Sequence, residues 1–271
     1  MTGIANSIVD QHYIYNDFAR FSGSFSESEA WLWVASNSNS FVISIMYHMG
    51  IDPATHMPTN LGVTPGDNTL LDIAGGHTLS TGSWFSDIFA GDGADVVNGN
   101  GGQNYLFGGS GQDIINGGGG DDMLSGGANA DTLNGNDGDD ILFGNDAGAD
   151  VLRGGMGYDQ LFGSSGGDRF DFDALAESGA SDSPADRIYE FEAGVDHIDL
   201  STIDANPDVA GNQAFAFIGQ SAFSAVGQVR FVHSSTQSLT FVYVNGIGAG
   251  GADMYIRIAG TFDLISSDFI L

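Results

Sequence analysis

Between Gly82 and Asp171 the chain alternates a polar, glycine-rich half with a short apolar half, and the alternation repeats about every nine residues. The units read GSWFSDIFA from Gly82, GDGADVVN from Gly91, GNGGQNYLF from Gly99, GGSGQDIIN from Gly108 and GGGGDDMLS from Gly117. They continue as GGANADTLN from Gly126, GNDGDDILF from Gly135, GNDAGADVLR from Gly144, GGMGYDQLF from Gly154 and GSSGGDRFD from Gly163. These ten units fill the segment, with one a residue short and one a residue long. The eighth place is apolar in all of them: Phe89, Val97, Leu106, Ile115, Leu124, Leu133, Leu142, Leu152, Leu161 and Phe170. The sixth is Asp87, Asp95, Asn104, Asp113, Asp122, Asp131, Asp140, Asp150, Asp159 and Asp168.

Each half of the unit predicts a different element. Glycine accepts positive φ at little cost, so the G-G-x-G half turns tightly. The D-x-apolar-x half is a strand too short to stand alone, with one inward side chain. Such a unit buries its apolar face only against copies of itself. Two units make a coil of about 18 residues, so the segment predicts a parallel β-roll of about five coils. Its eighth places stack inside. Its turns bring Asp carboxylates and backbone carbonyls into two columns. That all-oxygen environment suits Ca2+, which takes 6–8 oxygen ligands, over transition metals, which favour His or Cys. The regular units put Asp113, Asp122, Asp131, Asp140, Asp159 and Asp168 first as ligands. Asp87, Asp95 and Asp150 sit in irregular units, and Asn104 offers an oxygen without a charge. A glycine-rich acidic linker explains the composition but gives no reason for the register.

Composition sharpens this picture. Of 42 glycines 25 lie in this segment, with 15 of the 35 acidic residues. The net charge is −29, and all six basic residues are arginine. Such a polyanion disfavours nucleic acid and anionic membranes as partners and calls for cations. A hydrophobic content of 42% with 19 Phe is too apolar for a disordered acidic tail. With no cysteine there is neither a disulfide framework nor a thiolate metal site. No apolar run reaches the ~18 residues of a membrane span. The opening MTGIANSIVDQHYIYN lacks the basic start and apolar core of a signal peptide.

The repeating segment resembles the calcium-binding β-roll of RTX proteins. The stretch after it, Gly167 to Ser201, is similar to the C-terminal module of serralysin-type secreted metalloproteases, which also occurs in the R-modules of alginate epimerases. The resemblance rests on Asp186, Ile188, Glu190, Phe191, Gly194, Asp196, Ile198, Asp199, Leu200 and Ser201. It implies a strand, a turn at Glu192–Val195, a second strand, and carboxylates of Asp186, Asp196 and Asp199 for a further Ca2+. Alternating runs QVRFVH, LTFVYV and MYIRIA then predict strands with hairpin spacing. The ending Asp268, Phe269, Ile270, Leu271 resembles the export signal of family members that leave the cell by type I secretion. The resemblance therefore implies an extracellular protein with the secretion machinery as a partner.

Residues 1–81 predict a small α/β cap or the remnant of a catalytic domain. The sequence holds no H-E-x-x-H, and G-x-S-x-G occurs only inside the glycine repeats, as GSSGG from Gly163. Phe41, Val42, Ile45, Met46 and Met49 fall at helical spacing, with Ser38 or Asn39 as cap and Gly50 as stop. The stretch resembles the nucleophile helix of circularly permuted papain-like hydrolases, with Ser38 in the cysteine position and His12 the available base. An N-cap on a core helix explains Ser38 equally. The expected organisation is thus 1–81 cap, 82–171 β-roll and 172–271 β-rich module. The expected function is a secreted calcium-binding module without catalysis of its own. A hydrolase remnant and a module that binds extracellular glycan are the alternatives.

Overall fold

A computed structural model of the chain describes residues 69–71, 76, 78–81, 87–145, 147–179, 185–248 and 251–271. The predicted helix after Ser38 lies outside the described residues, as do Ser38 and His12 themselves. Residues Leu70–Leu271 form one compact unit. Among the described residues there is no α-helix, and no helix long and apolar enough to cross a membrane.

Two sheets face each other. The larger runs, in spatial order, β1 (Thr69–Leu71), β3 (Asp87–Asp92), β5 (Tyr105–Ser110), β7 (Met123–Ala128), β9 (Ile141–Asn145), β11 (Gln160–Phe162) and β13 (Asp186–Tyr189). It continues through β18 (Met254–Ala259), β17 (Leu239–Asn245), β16 (Gln228–His233) and β15 (Ala216–Phe217). The smaller runs from β19 (Phe269–Ile270) through β14 (His197–Asp199), β12 (Arg169–Asp171), β10 (Val151–Met156) and β8 (Thr132–Asp137). It ends with β6 (Ile114–Gly119), β4 (Val96–Asn98) and β2 (Thr78–Ser80). Chain order alternates between the sheets, so each coil of the roll adds one parallel strand to each.

The eighth places line the interior as the pattern requires. Leu106, Leu124, Leu142 and Leu161 stack in register on the larger sheet and are fully buried. Val97, Ile115, Leu133, Leu152 and Phe170 do the same on the smaller. Burying one such side chain contributes roughly 1.5–3 kcal/mol. Seventh and ninth places face outward. On the larger sheet the ninth places stack aromatic rings: Phe89 on Phe107 at 4.6 Å, and Phe162 on Tyr189 at 4.3 Å. On the smaller they form an amide ladder, Asn134 to Asn116 to Asn98, with 2.8 Å hydrogen bonds.

The first unit differs from its predicted frame. Asp87 pairs with Tyr105 and Ile88 with Leu106, so Ile88 points inward and Phe89 outward. Ala90 fills the place of a leading glycine, and Gly91, at φ 102, matches Gly109 at φ 114. Counting from Ala90, the unit thought short has the full nine residues. Asp87 is therefore a seventh-place residue.

The roll does not stop at Asp171. β12 pairs with β14 and β11 with β13, both parallel, so the expected 172–271 module continues the same two sheets. The three alternating runs form the antiparallel strands β16, β17 and β18. The final residues add β19 beside β14, with Asp268 and Phe269 buried.

Leu124→Ala removes the middle of the larger sheet's stack. It is expected to cost about 2–5 kcal/mol, read from the urea midpoint. Thr132→Ala, at an outward seventh place, is expected to stay within about 0.5 kcal/mol.

Candidate metal centre

The sixth place sits where each glycine turn enters its strand. On the larger-sheet side these residues are Asn104, Asp122, Asp140, Asp159 and Asp186. The backbone N–H of each donates to Oδ1 of the next, at 2.8, 2.7, 2.8 and 3.0 Å. On the smaller-sheet side Asp95, Asp113, Asp131, Asp150, Asp168 and Asp196 are linked the same way at 2.8–2.9 Å. The column arises because one coil lifts the chain by one strand spacing, about 4.8 Å. Each carboxylate then reaches back to the N–H beneath it.

That bond uses one oxygen of each carboxylate. The other, Oδ2, is buried without a donor in Asp113, Asp122, Asp140, Asp159, Asp168 and Asp186. Those residues are 0–2% exposed. A buried polar atom with no partner is costly and uncommon. For the first five of these, Oδ2 opens on space kept free by a leading glycine: Gly108, Gly117, Gly135, Gly154 and Gly163. A Cβ on Gly117 would collide with Asp122 Oδ2 and lie 2.8 Å from the Gly135 carbonyl. Gly108 repeats this with Asp113 Oδ2 and, at 2.7 Å, the Gly126 carbonyl. Among the described residues no three carboxylate or imidazole side chains converge. A cation here would be held by one or two carboxylates with backbone carbonyls. Such a donor set is hard, anionic and adaptable, and it fits Ca2+ better than zinc or a strictly octahedral Mg2+.

Electrostatics point the same way. Burial, reinforced by neighbouring carboxylates, raises Asp122, Asp159 and Asp168 to about 7, Asp140 to about 6 and Asp186 to about 8. The N–H bonds to Oδ1 pull the other way and lose. Burial raises Asp113 as well. Burial thus makes the charged form costly at these positions, and a bound cation would offset that cost in place of the proton.

The remaining candidates behave differently. Asp196 ends its column, with Oδ1 taken by the Asp168 N–H and Oδ2 by the Glu192 N–H at 2.7 Å. Asp199 lies outside both columns. Burial pushes its carboxyl up, but bonds from Ser201 and the Arg169 guanidinium outweigh that and hold it below the ordinary value. Arg169 Nη1 stands 3.0 Å from Asp199 Oδ2. Asp186 and Asp196 thus extend separate columns, and with Asp199 they do not gather into one further site. Asn104 turns its Oδ1 to the Asn100 N–H at 2.8 Å and leaves Nδ2 buried without an acceptor. Asp87 is one place out of the column, and the corresponding residue, Ser86, lies outside the described residues. Sequence reasoning missed Ser178, whose Oγ accepts the Asp186 N–H at 2.9 Å and donates to the Tyr255 carbonyl. It sits in a non-repeating loop and carries no periodic signal. The Asn98, Asn116, Asn134 ladder was readable from the ninth place.

With this geometry in place, comparison with known families is direct. The family model described as Peptidase M10 serralysin C terminal matches residues 94–271. The chain belongs to that family. No curated protein matches the chain. Among solved structures, one match is the AlgE6R3 subunit of the mannuronan C5-epimerase from Azotobacter vinelandii. It is 19% identical and covers 72% of this chain and 78% of that one, with a TM-score of 0.28.

The raised carboxyls of this serralysin-type roll fix a pH dependence. They bind protons more tightly folded than unfolded, where Asp titrates near 3.9. The metal-free roll is thus most stable below about pH 4 and loses stability as pH rises through the 6–8 range of Asp140, Asp122 and Asp186. Circular dichroism in chelator is expected to show folded signal falling from pH 5 to about pH 8. A flat profile would contradict the assignment. Asp87→Asn is expected to leave the calcium midpoint unchanged, because Asp87 is outside the column.

Proposed function

We propose that this chain is a calcium-binding β-roll that folds when Ca2+ neutralises its carboxylate columns, and that it acts outside the cell after type I export. The observation that carries the reading is the row of buried Oδ2 atoms of Asp113, Asp122, Asp140, Asp159, Asp168 and Asp186, each without a donor. When bound, Ca2+ would supply two positive charges between successive turns and complete its shell with turn carbonyls. The chain supplies the rest. Backbone N–H groups fix one oxygen of each carboxylate, and the leading glycines keep the space open. Roughly eight ions would offset about 16 of the 29 net negative charges.

Binding is coupled to folding because the site does not exist in the unfolded chain. At low Ca2+ the columns repel and the roll stays open, fit for passage through an exporter. Extracellular calcium modules need only about 0.1–1 mM affinity. The roll then serves the folding and stability of the exported protein. The expected organisation places whatever chemistry accompanies it in residues 1–81, where Ser38 and His12 are the candidates. Ser38→Ala in a broad esterase and peptidase screen tests that assignment.

A Ca2+ titration of the metal-free chain, followed by circular dichroism, tests the main reading. A cooperative gain of β signal near millimolar Ca2+, absent with Mg2+, is expected. A chain equally folded in chelator sinks it. Asp122→Asn is expected to act in opposite directions: the metal-free roll gains stability by losing a buried charge, and the Ca2+ midpoint rises. A thermal melt with and without Ca2+ reads both signs.

A further inference from the structure

An asparagine followed by glycine can modify itself. The glycine nitrogen closes a ring onto the asparagine side chain, and no Cβ on the glycine obstructs the approach. The chain has five such pairs: Asn98–Gly99, Asn100–Gly101, Asn116–Gly117, Asn134–Gly135 and Asn245–Gly246. Ring closure needs a side-chain amide free to swing onto the next nitrogen. In the first four pairs the roll prevents this. Asn134 and Asn116 donate along the amide ladder at 2.8 Å, and Asn98 Oδ1 accepts the second of these bonds. The Gly99 N–H is itself held by the Asn116 carbonyl at 2.7 Å. Asn100 donates to Thr81 Oγ1 at 2.8 Å and accepts from the Gly102 N–H at 2.9 Å.

Asn245 differs. It is the last residue of β17 and is 0% exposed, yet neither its Oδ1 nor its Nδ2 has a hydrogen-bond partner. A buried amide with both ends unmatched is rare enough to need a reason. Its backbone, by contrast, is pinned: the Asn245 carbonyl accepts the Gly227 N–H at 2.8 Å. The next N–H, of Gly246, donates to Asp253 Oδ2 at 2.8 Å, and the Ile247 N–H donates to the same oxygen at 2.8 Å. Packing requires glycine at 246, because a Cβ there would lie 2.7 Å from Leu175 Cδ1. An unanchored amide, an unhindered nitrogen and a carboxylate already on that nitrogen's proton thus meet at one buried corner.

We propose that Asn245–Gly246 is a self-modification site of the folded protein, with Asp253 as the intramolecular base. The Gly246 nitrogen attacks Asn245 Cγ, and a carbon–nitrogen bond forms. Asp253 Oδ2 takes the proton from Gly246 and returns it to Nδ2, the Cγ–Nδ2 bond breaks, and ammonia leaves. The product is a cyclic imide. One water then opens it to aspartate or isoaspartate. Burial keeps bulk water away, so the imide outlasts one formed on an exposed chain. Opening it leaves a buried carboxylate beside Asp253, where like charges repel. The site also lies against Leu175, three residues before Ser178, so the change loosens the segment that closes the Asp186 N–H. The proposal needs the folded C-terminal strands and is independent of which cation fills the columns.

The test is peptide mass mapping of the full chain, aged at neutral pH in saturating Ca2+ after circular dichroism confirms that it is folded. A urea-unfolded aliquot is the control in which all five pairs are free to react. In the folded sample the peptide carrying Asn245 is expected to lose one ammonia first, with the other four pairs intact. Asp253→Asn keeps an oxygen for both N–H groups but cannot take the proton, and is expected to slow the loss about tenfold or more. Asn245 intact in the folded sample, all five pairs modified alike, or a wild-type rate in Asp253→Asn overturns the proposal. If that variant does not fold, wild-type rates between about pH 6 and pH 8 decide. A rise of about tenfold per pH unit assigns the proton to hydroxide and overturns it, and a shallower rise supports the internal base.

Discussion

Everything in the roll depends on a conflict between hydrogen bonding and charge at one repeated corner. Within each column the N–H of a sixth-place residue is satisfied by the carboxylate one coil further on, a bond that the strand spacing of the coils makes possible. The same bond lines up negative charges at about the strand separation, inside a shell that excludes water. Neither alone makes a stable object. Leucine stacks could hold the strands, but only if something answers the carboxylates. The roll is therefore a structure whose polar skeleton is complete and whose charge balance is not.

The glycines are best understood from that conflict. At Gly117 the missing Cβ leaves the space onto which Asp122 Oδ2 and the Gly135 carbonyl both open. Any side chain there would fill it. The glycine-rich half of the unit thus does more than turn the chain: it keeps oxygen atoms of two coils facing a common void. The ninth places then differentiate the two outer faces, aromatic on the larger sheet and amide on the smaller.

Much of this was legible from period alone. The apolar eighth places, the two carboxylate columns and the parallel coils follow from a nine-residue register that few alternatives share. The failures were local and physical. Asp87 reads as a column member in a frame that starts at Gly82, because a glycine opens every other unit. The chain instead lets Ala90 stand there, and strand pairing of Ile88 with Leu106 decides the frame. Asp199 reads like a ligand in sequence, but Arg169, thirty residues away, claims it. Asp186 and Asp196 sit ten residues apart and look like one site, yet they fall on opposite sheets because the turn between them carries the chain across. Ser178 had no pattern to betray it.

Ser178 also shows how such a ladder ends. A stack of identical rungs has no intrinsic last member, and an unfinished end is a template for the next chain. Here the Asp186 N–H, which would otherwise seek another carboxylate, is closed by a neutral hydroxyl, and on the other column the Asp196 N–H is closed by the Glu192 carbonyl of its own turn. Beyond β18, which still pairs parallel with β13, the larger sheet turns antiparallel. The molecule thereby carries its own length standard: a solenoid that counts its coils and then refuses to polymerise from that end.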